Sequence, residues 1–332
     1  MSTVNALPSA ALCAQAEAFG DPSVWDLRRL SLRRPKGNRA LVRVAATSVN
    51  PIDLAARRGE LKAIRRPPIG TGLDVAGHVV AAGPRWPGPR VGQPVWGALG
   101  GAPVKARMAA AEYVEVKPGW VVEAPTRIPL TDAAALPVVA LTAYLGLRAL
   151  SLAPGRTILI RGASGGVGTA ALQVARHMGL HVTALCSPRN DGLCQELGAD
   201  ETVDYHALDW ATLPRFDGAL DLAGGPELTQ LRRVVRRGGW IAAGIPKRPG
   251  FMLASMLPGR ASVRPIFALP TRKRLTEIAR LIDLGHLKPV IAARFPLEKI
   301  TDAHDHMEND RAAGKRLIDV TAWHPRSQAM PA

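Results

Sequence analysis

The stretch that decides the fold is Thr157-Ile158-Leu159-Ile160-Arg161 followed by Gly162-Ala163-Ser164-Gly165-Gly166-Val167-Gly168. The β-branched and apolar run predicts a buried strand, the glycines a tight turn, and residues 166–178 carry the apolar spacing of a helix. Within the turn the spacing reads Ala163-x-Gly165-x-x-Gly168, a dinucleotide fingerprint with Ala where the first Gly usually stands. Each position has a physical task. Gly165 lets the backbone approach a pyrophosphate, Gly168 lets helix and strand pack closely, and the free N–H groups of the helix N-terminus face the negative charge.

Working outward, strands and helices alternate. The pattern predicts strands at 157–161, 181–186, 218–222 and 239–243, with helices at 166–178, 191–197 and 226–237 between them. Parallel strands need crossover connections, so this alternation predicts a doubly wound parallel α/β sheet with its ligand crevice at the strands' carboxyl ends. Residues 262–269 supply a last strand, and residues 272–285 an amphipathic helix. Upstream, residues 131–150 read as one Ala- and Leu-rich helix with Thr131 or Asp132 as its N-cap. Before them, short alternating segments at 40–45, 77–81 and 112–116, broken by Pro and Gly, describe a β-rich module.

Composition narrows the class. The chain has 332 residues, long enough for two domains. It is 47% hydrophobic and 21% charged, and no apolar run nears the roughly 20 residues of a membrane span. Residues 1–20 contain no Lys or Arg, which predicts neither a secretion signal nor a transit peptide and makes the cytoplasm the expected location. Three cysteines (Cys13, Cys186, Cys194) without a C-x-x-C pair support neither a disulfide framework nor a cysteine-rich zinc site. Cys186 and Cys194 read as small core residues, and His78 and His181, in apolar strands, as structural ones. His304 and His306 stand in a polar helical segment at a spacing that separates them on the helix surface. The net charge of +16 attracts polyanions, but its Arg pairs are scattered and aromatics make up only 5%. The charge therefore does not point to a dedicated nucleic-acid function.

The second strand of the winding ends in Cys186-Ser187-Pro188-Arg189-Asn190. An NAD site normally carries an Asp or Glu here for the ribose hydroxyls. In its place Ser187 can hydrogen-bond a 2′-phosphate and Arg189 can pair with it, so NADP(H) is the expected cofactor.

These residues, together with Ser48-Val49-Asn50-Pro51-Ile52-Asp53, Gly72-Leu73-Asp74-Val75-Ala76-Gly77, Ala140-Leu141-Thr142-Ala143-Tyr144 and Gly314-Lys315, resemble the zinc-free quinone oxidoreductases of the medium-chain dehydrogenase/reductase superfamily, which include the zeta-crystallins. The resemblance implies a GroES-like β-rich catalytic domain at 1–128 and 288–332, discontinuous around a Rossmann domain at 129–287, with the active site between them. It implies that Thr142 meets the nicotinamide end, that Ser187, Arg189 and Tyr205 meet the 2′-phosphate end, that Ala163, Ser164, Gly165, Gly166, Val167 and Gly168 hold the pyrophosphate, and that Lys315 lies near the cofactor. Catalytic roles fall to Asn50, as a donor to an acceptor oxygen, and to Thr142. The zinc-containing relatives place Cys and His where Asn50 and Leu73 stand, so no metal is expected. Many bacterial quinone reductases have a Tyr two residues after the Asp of the first motif; Ala55 occupies that place and weakens the case for a quinone. Hydride transfer to a quinone or to an enone or alkenal remain open, as does an NADPH-binding protein that uses its basic surface to hold RNA or another protein. Family members are often dimers, with residues 262–269 as the candidate interface of a homodimer.

Overall fold

A computed structural model describes residues 7–64, 66–100, 107–225, 228–244 and 262–320. The strand-rich start contains β1 (Ala10–Ala16), β2 (Asp26–Ser31), β3 (Ala40–Ser48), β4 (Ile69–Gly70), β5 (Asp74–Ala82), β6 (Pro94–Ala98), β7 (Tyr113–Val116) and β8 (Val121–Glu123), together with the α-helix α1 (Pro51–Arg57). Helix α1 begins where it does because Pro51 has no N–H to lose and the Asp53 carboxylate accepts the Asn50 backbone N–H at 2.9 Å.

The predicted helix at 131–150 is two helices, α2 (Leu130–Ala133) and α3 (Pro137–Leu150). Pro137 cannot donate to the preceding turn, so it starts a new helix. Neither Thr131 nor Asp132 is an N-cap: Pro129 precedes α2 and Leu136 precedes α3.

Next come β9 (Thr157–Arg161), α4 (Gly166–His177), β10 (His181–Cys186), α5 (Asp191–Leu197), β11 (Glu201–Asp204), β12 (Phe216–Asp221), α6 (Leu228–Val234), β13 (Val235–Ala243) and β14 (Ser262–Pro265). The strands form one sheet in the order β11-β10-β9-β12-β13-β14, and every pairing is parallel. This is the doubly wound dinucleotide-binding arrangement, and its order reverses between β9 and β12. The Gly-rich loop follows β9, at that switch point. Leu141 and Leu147 of α3 and Leu172 of α4 pack on Ile158 and Ile160 of β9, all buried.

Two further boundaries differ most from the sequence reading. The helix expected at 226–237 ends at Val234, because Val235 pairs with Phe216 and opens β13; Gly238, at φ 80°, bends that strand instead of capping a helix. The last strand, expected at 262–269, stops at Pro265, and Phe267 and Leu269 are exposed.

After α7 (Arg272–Asp283) the chain forms β15 (Ile291–Pro296), α8 (Ile300–Asn309) and β16 (Lys315–Asp319). Strands β15 and β16 return to the first module, giving a seven-stranded sheet ordered β15-β16-β3-β5-β6-β8 with β7 on β3. Leu317 pairs with Ser48 and Ile318 with Thr47, which sets Lys315 beside the Asn50 turn. Among the described residues no helix is long and apolar enough to cross a membrane.

The histidines sit otherwise than their sequence context suggests. His78 and His181 point outward from their strands, whereas His304, in a polar-looking segment, is fully buried on the inner face of α8. Its Nε2 lies 3.1 Å from Thr71 Oγ1 and its ring centroid 5.0 Å from that of Trp25. Burial, followed by the Arg57 charge, lowers its pKa to about 3. Between that value and the unfolded one of about 6.5, protons bind the unfolded chain better, so His304 costs stability as pH falls through the window. Asp53, raised by burial to about 6, acts in the opposite sense, favouring the fold below about 4 and less as pH rises through 6. Replacing His304 by Gln is expected to flatten or reverse the fall in melting temperature between about pH 6 and 4, measured by calorimetry.

Candidate active site

Helix α4 starts on an uncapped N-terminus. Gly165, its N-cap, is extended (φ −70°, ψ 169°) and makes no side-chain cap bond. The first-turn N–H groups of an α-helix have no intrahelical acceptor, so those of Gly166, Val167 and Gly168 face out of the helix end, where a phosphate is stabilised. The two fingerprint glycines differ in what they answer to. A Cβ on Gly168 would lie 2.2 Å from the Gly162 oxygen and 2.3 Å from the Ala163 oxygen, so close packing of the turn forbids it. A Cβ on Gly165 would meet only the Gly162 oxygen, at 3.4 Å. The protein tolerates a side chain there; the space it leaves fits the close approach of a pyrophosphate. Ser164 carries the loop to the tail, its carbonyl accepting the Gly314 N–H at 3.1 Å, and Gly165 bridges to Gly314.

At the next strand ends, Ser187 and Tyr205 leave adjacent parallel strands at one level, since Cys186 pairs with Asp204. Ser187 Oγ accepts from Asn190 Nδ2 at 3.1 Å, and Tyr205 is 45% exposed. Arg189 is exposed in the short turn after Ser187, and its guanidinium donates to the Arg311 carbonyl at 2.6 Å. The nearby carboxylates are engaged elsewhere: Asp191 accepts from the Cys186 thiol at 3.3 Å, and Asp204 accepts the His206 N–H at 2.9 Å. Cys186 and Cys194 are buried, and burial is the main reason both thiols are pushed upward in pKa.

The third group lies where β16 meets the Asn50 turn. Lys315 is 4% exposed, and its ammonium donates to the Val49 carbonyl at 2.8 Å and to Asn50 Oδ1 at 2.7 Å. Its stem lies against the fingerprint, because a Cβ on Gly166 would come 2.8 Å from Lys315 Cδ. Asn50 Nδ2 donates to Asp74 Oδ2 at 2.7 Å and reaches the Ser48 carbonyl at 3.4 Å. The Ser48 hydroxyl donates to the same Asp74 oxygen at 2.5 Å, and the Lys315 ammonium stands 3.6 Å from it. The other Asp74 oxygen accepts the Val138 N–H, at the start of α3, at 2.7 Å. Thr142, one turn on, donates its hydroxyl to the Val138 carbonyl at 2.7 Å. Burial lowers the Lys315 pKa, and Asp74 and Asp53 oppose that shift.

Asn50 therefore needs correction as a direct donor to an acceptor oxygen. It is 1% exposed, and its amide is spent on Asp74, Ser48 and Lys315. The structure joins Asn50, Lys315 and the fingerprint directly and Thr142 through Val138, while Ser187, Arg189 and Tyr205 form a separate group at the ends of β10 and β11. The sequence reading gave Asp74, Ser48 and Asp53 no role. The signal was there: an acid inside the apolar run of β5 must find buried partners.

Comparison with known proteins agrees with this architecture. Residues 36–126 match the alcohol dehydrogenase GroES-like domain, and residues 197–318 match a family described as zinc-binding dehydrogenase. The 2-methylene-furan-3-one reductase of Solanum lycopersicum is 31% identical over 331 residues, covering 96% of this chain and 81% of the relative. The mouse (Mus musculus) mitochondrial NAD(P)H oxidoreductase RTN4IP1 is 32% identical over 329 residues, covering 85% and 82%. The solved quinone oxidoreductase of Coxiella burnetii superposes with a TM-score of 0.86 at 27% identity, covering 94% of this chain and 99% of that one. The chain belongs to the quinone oxidoreductases of the medium-chain dehydrogenase/reductase superfamily. It is an oxidoreductase that uses a nicotinamide cofactor. One matching family model is named for zinc; among the described residues no three His, Cys, Asp or Glu side chains stand together as metal ligands.

The two glycines give a test. Gly165→Ala should leave the melting temperature of the cofactor-free protein near that of the parent yet weaken cofactor binding at least tenfold. Gly168→Ala should also lose about 1–3 kcal/mol of stability through overpacking. Calorimetry and a cofactor titration read the two effects separately.

Proposed function

We propose that the chain is an NADPH-dependent reductase that delivers hydride to a conjugated carbonyl acceptor, with quinones as the first substrate class and enones or alkenals as the second. The observation that carries the NADP preference is the group Ser187, Arg189 and Tyr205, which stands together at the ends of the adjacent strands β10 and β11. The enone class is supported by the likeness to the furanone reductase, which is named for an enone and aligns with nearly the whole chain. Bound in this crevice, the nicotinamide supplies the hydride. The protein's work is then orientation: the N-terminus of α4 takes the pyrophosphate, Arg189 and Ser187 the 2′-phosphate, and Thr142 the nicotinamide end. Asn50 acts within this reading by holding Lys315 against the fingerprint helix rather than by touching the acceptor. The catalytic domain is assigned to 1–128 and 288–332, the cofactor domain to 129–287.

The reading extends to a cytoplasmic homodimer joined at 262–269. Strand β14 is an edge of the parallel sheet among the described residues, and Phe267 and Leu269 stand exposed beside it. Sedimentation that gives a monomer at micromolar concentration overturns the dimer.

A charge pair at 4 Å is worth about 1–4 kcal/mol at effective dielectrics between those of water and a protein surface. Arg189→Ala is therefore expected to weaken NADPH binding by about one to two orders of magnitude and NADH binding by less than about threefold. Equal losses for both cofactors would remove the NADP assignment. Oxidation of NADPH followed at the nicotinamide absorbance, against a panel of quinones, alkenals and enones, names the acceptor. Silence across the panel would sink the proposed reaction.

A further inference from the structure

We propose that Asp74 is the positioning residue of this reduction: its buried carboxylate fixes the first turn of α3 against the Asn50 turn and so sets where Thr142 meets the nicotinamide end. The proposal rests on the reading of Thr142 given above and adds a residue that neither the fingerprint nor the 2′-phosphate group includes. Helix α3 starts without local support. Its N-cap, Leu136, has no side chain able to accept a bond, and Pro137 has no N–H. The next orphan donor, the Val138 N–H, is satisfied by Asp74 Oδ1 at 2.7 Å, from a strand 64 residues earlier. The Thr142 hydroxyl then leans on the carbonyl of the same Val138, at 2.7 Å. Asp74 and Thr142 thus grip one residue from its two sides.

The other Asp74 oxygen gathers donors from the opposite wall, Ser48 Oγ at 2.5 Å and Asn50 Nδ2 at 2.7 Å, with the Lys315 ammonium at 3.6 Å. Asp74 is 0% exposed, so no water competes for these bonds from solvent. An acceptor-only group suits the place: four donors converge on it, and a neutral amide would turn its own N–H groups toward some of them. A displacement of about 1 Å in the reacting geometry can cost about a hundredfold in rate, so a carboxylate outside the reacting atoms can govern the chemical step.

The experiment uses the full chain with Asp74→Asn, Thr142→Val and the double variant, NADPH deuterated at the transferred position, and an acceptor found active with the parent enzyme. Asp74→Asn is expected to lower kcat at saturating NADPH at least tenfold, to leave the Kd of NADPH within about threefold, and to raise the primary deuterium isotope effect on kcat. A purely structural role would leave the isotope effect unmoved. The double variant is expected to be no slower than the slower single one, because both act through Val138. Losses that multiply, or a weaker Kd with unchanged kcat, overturn the proposal. If Thr142→Val alone leaves kcat and isotope effect at parental values, the reading of Thr142 fails and the proposal falls with it. If Thr142→Val acts and Asp74→Asn does not, the fault lies with Asp74 alone. Should Asp74→Asn fail to fold, Ser48→Ala withdraws a single donor from the carboxylate and is expected to raise the isotope effect in the same direction; a parental isotope effect in that folded variant overturns the proposal.

Discussion

The ammonium of Lys315 is almost wholly removed from solvent, and a buried charge costs several kcal/mol unless partners replace its water. Three groups supply them: the Val49 carbonyl, the Asn50 amide oxygen and, slightly farther, the Asp74 carboxylate. The requirement explains otherwise unconnected features. It is satisfied only if β16 lies antiparallel to β3 with Leu317 opposite Ser48. It also needs a turn rather than a strand at Asn50, which the pairing of Asp53 with the Asn50 backbone provides. The lysine stem, laid against Gly166, then brings the cofactor loop to the same point. A charge that is hard to bury thereby fixes how the two sheets face each other.

The Gly-rich loop and the tail beside it hold glycines that packing requires and one that it does not. Gly168 and Gly314 belong to the first kind, since an added Cβ on either would strike a backbone oxygen at 2.2 or 2.3 Å. Gly165 differs, because the protein itself leaves room for a side chain there, as the proposed approach of a pyrophosphate would require.

Much of the fold was legible in the sequence because local pattern and global architecture agree there. The run from Thr157 to Gly168 predicts strand, turn and helix start, and the structure has all three. The reading failed where a non-local partner decides. Val235 looks helical until Phe216 is set beside it, and His304 looks solvated until α8 turns it toward Trp25 and Thr71. Pro137 is a local cue that does mark the break between α2 and α3. In the candidate site, the loop and the residues after β10 could be read from spacing, since they follow one another in the chain. The Asp74 group could not, because its members lie at 48, 50, 74, 138 and 315 and only the folded sheets bring them together.

The return of β16 to the first module also orders events in time. Lys315 follows Asn50 by 265 residues, so a chain emerging from the ribosome exposes β3, the Asn50 turn and the whole parallel sheet before their shared partner exists. Contacts of such long sequence separation form late and close slowly. Until then Asp74 and Asn50 face one another without a cation, and β3 offers an open edge. The strand that completes the seven-stranded sheet is thus also the one that delivers the site's buried cation.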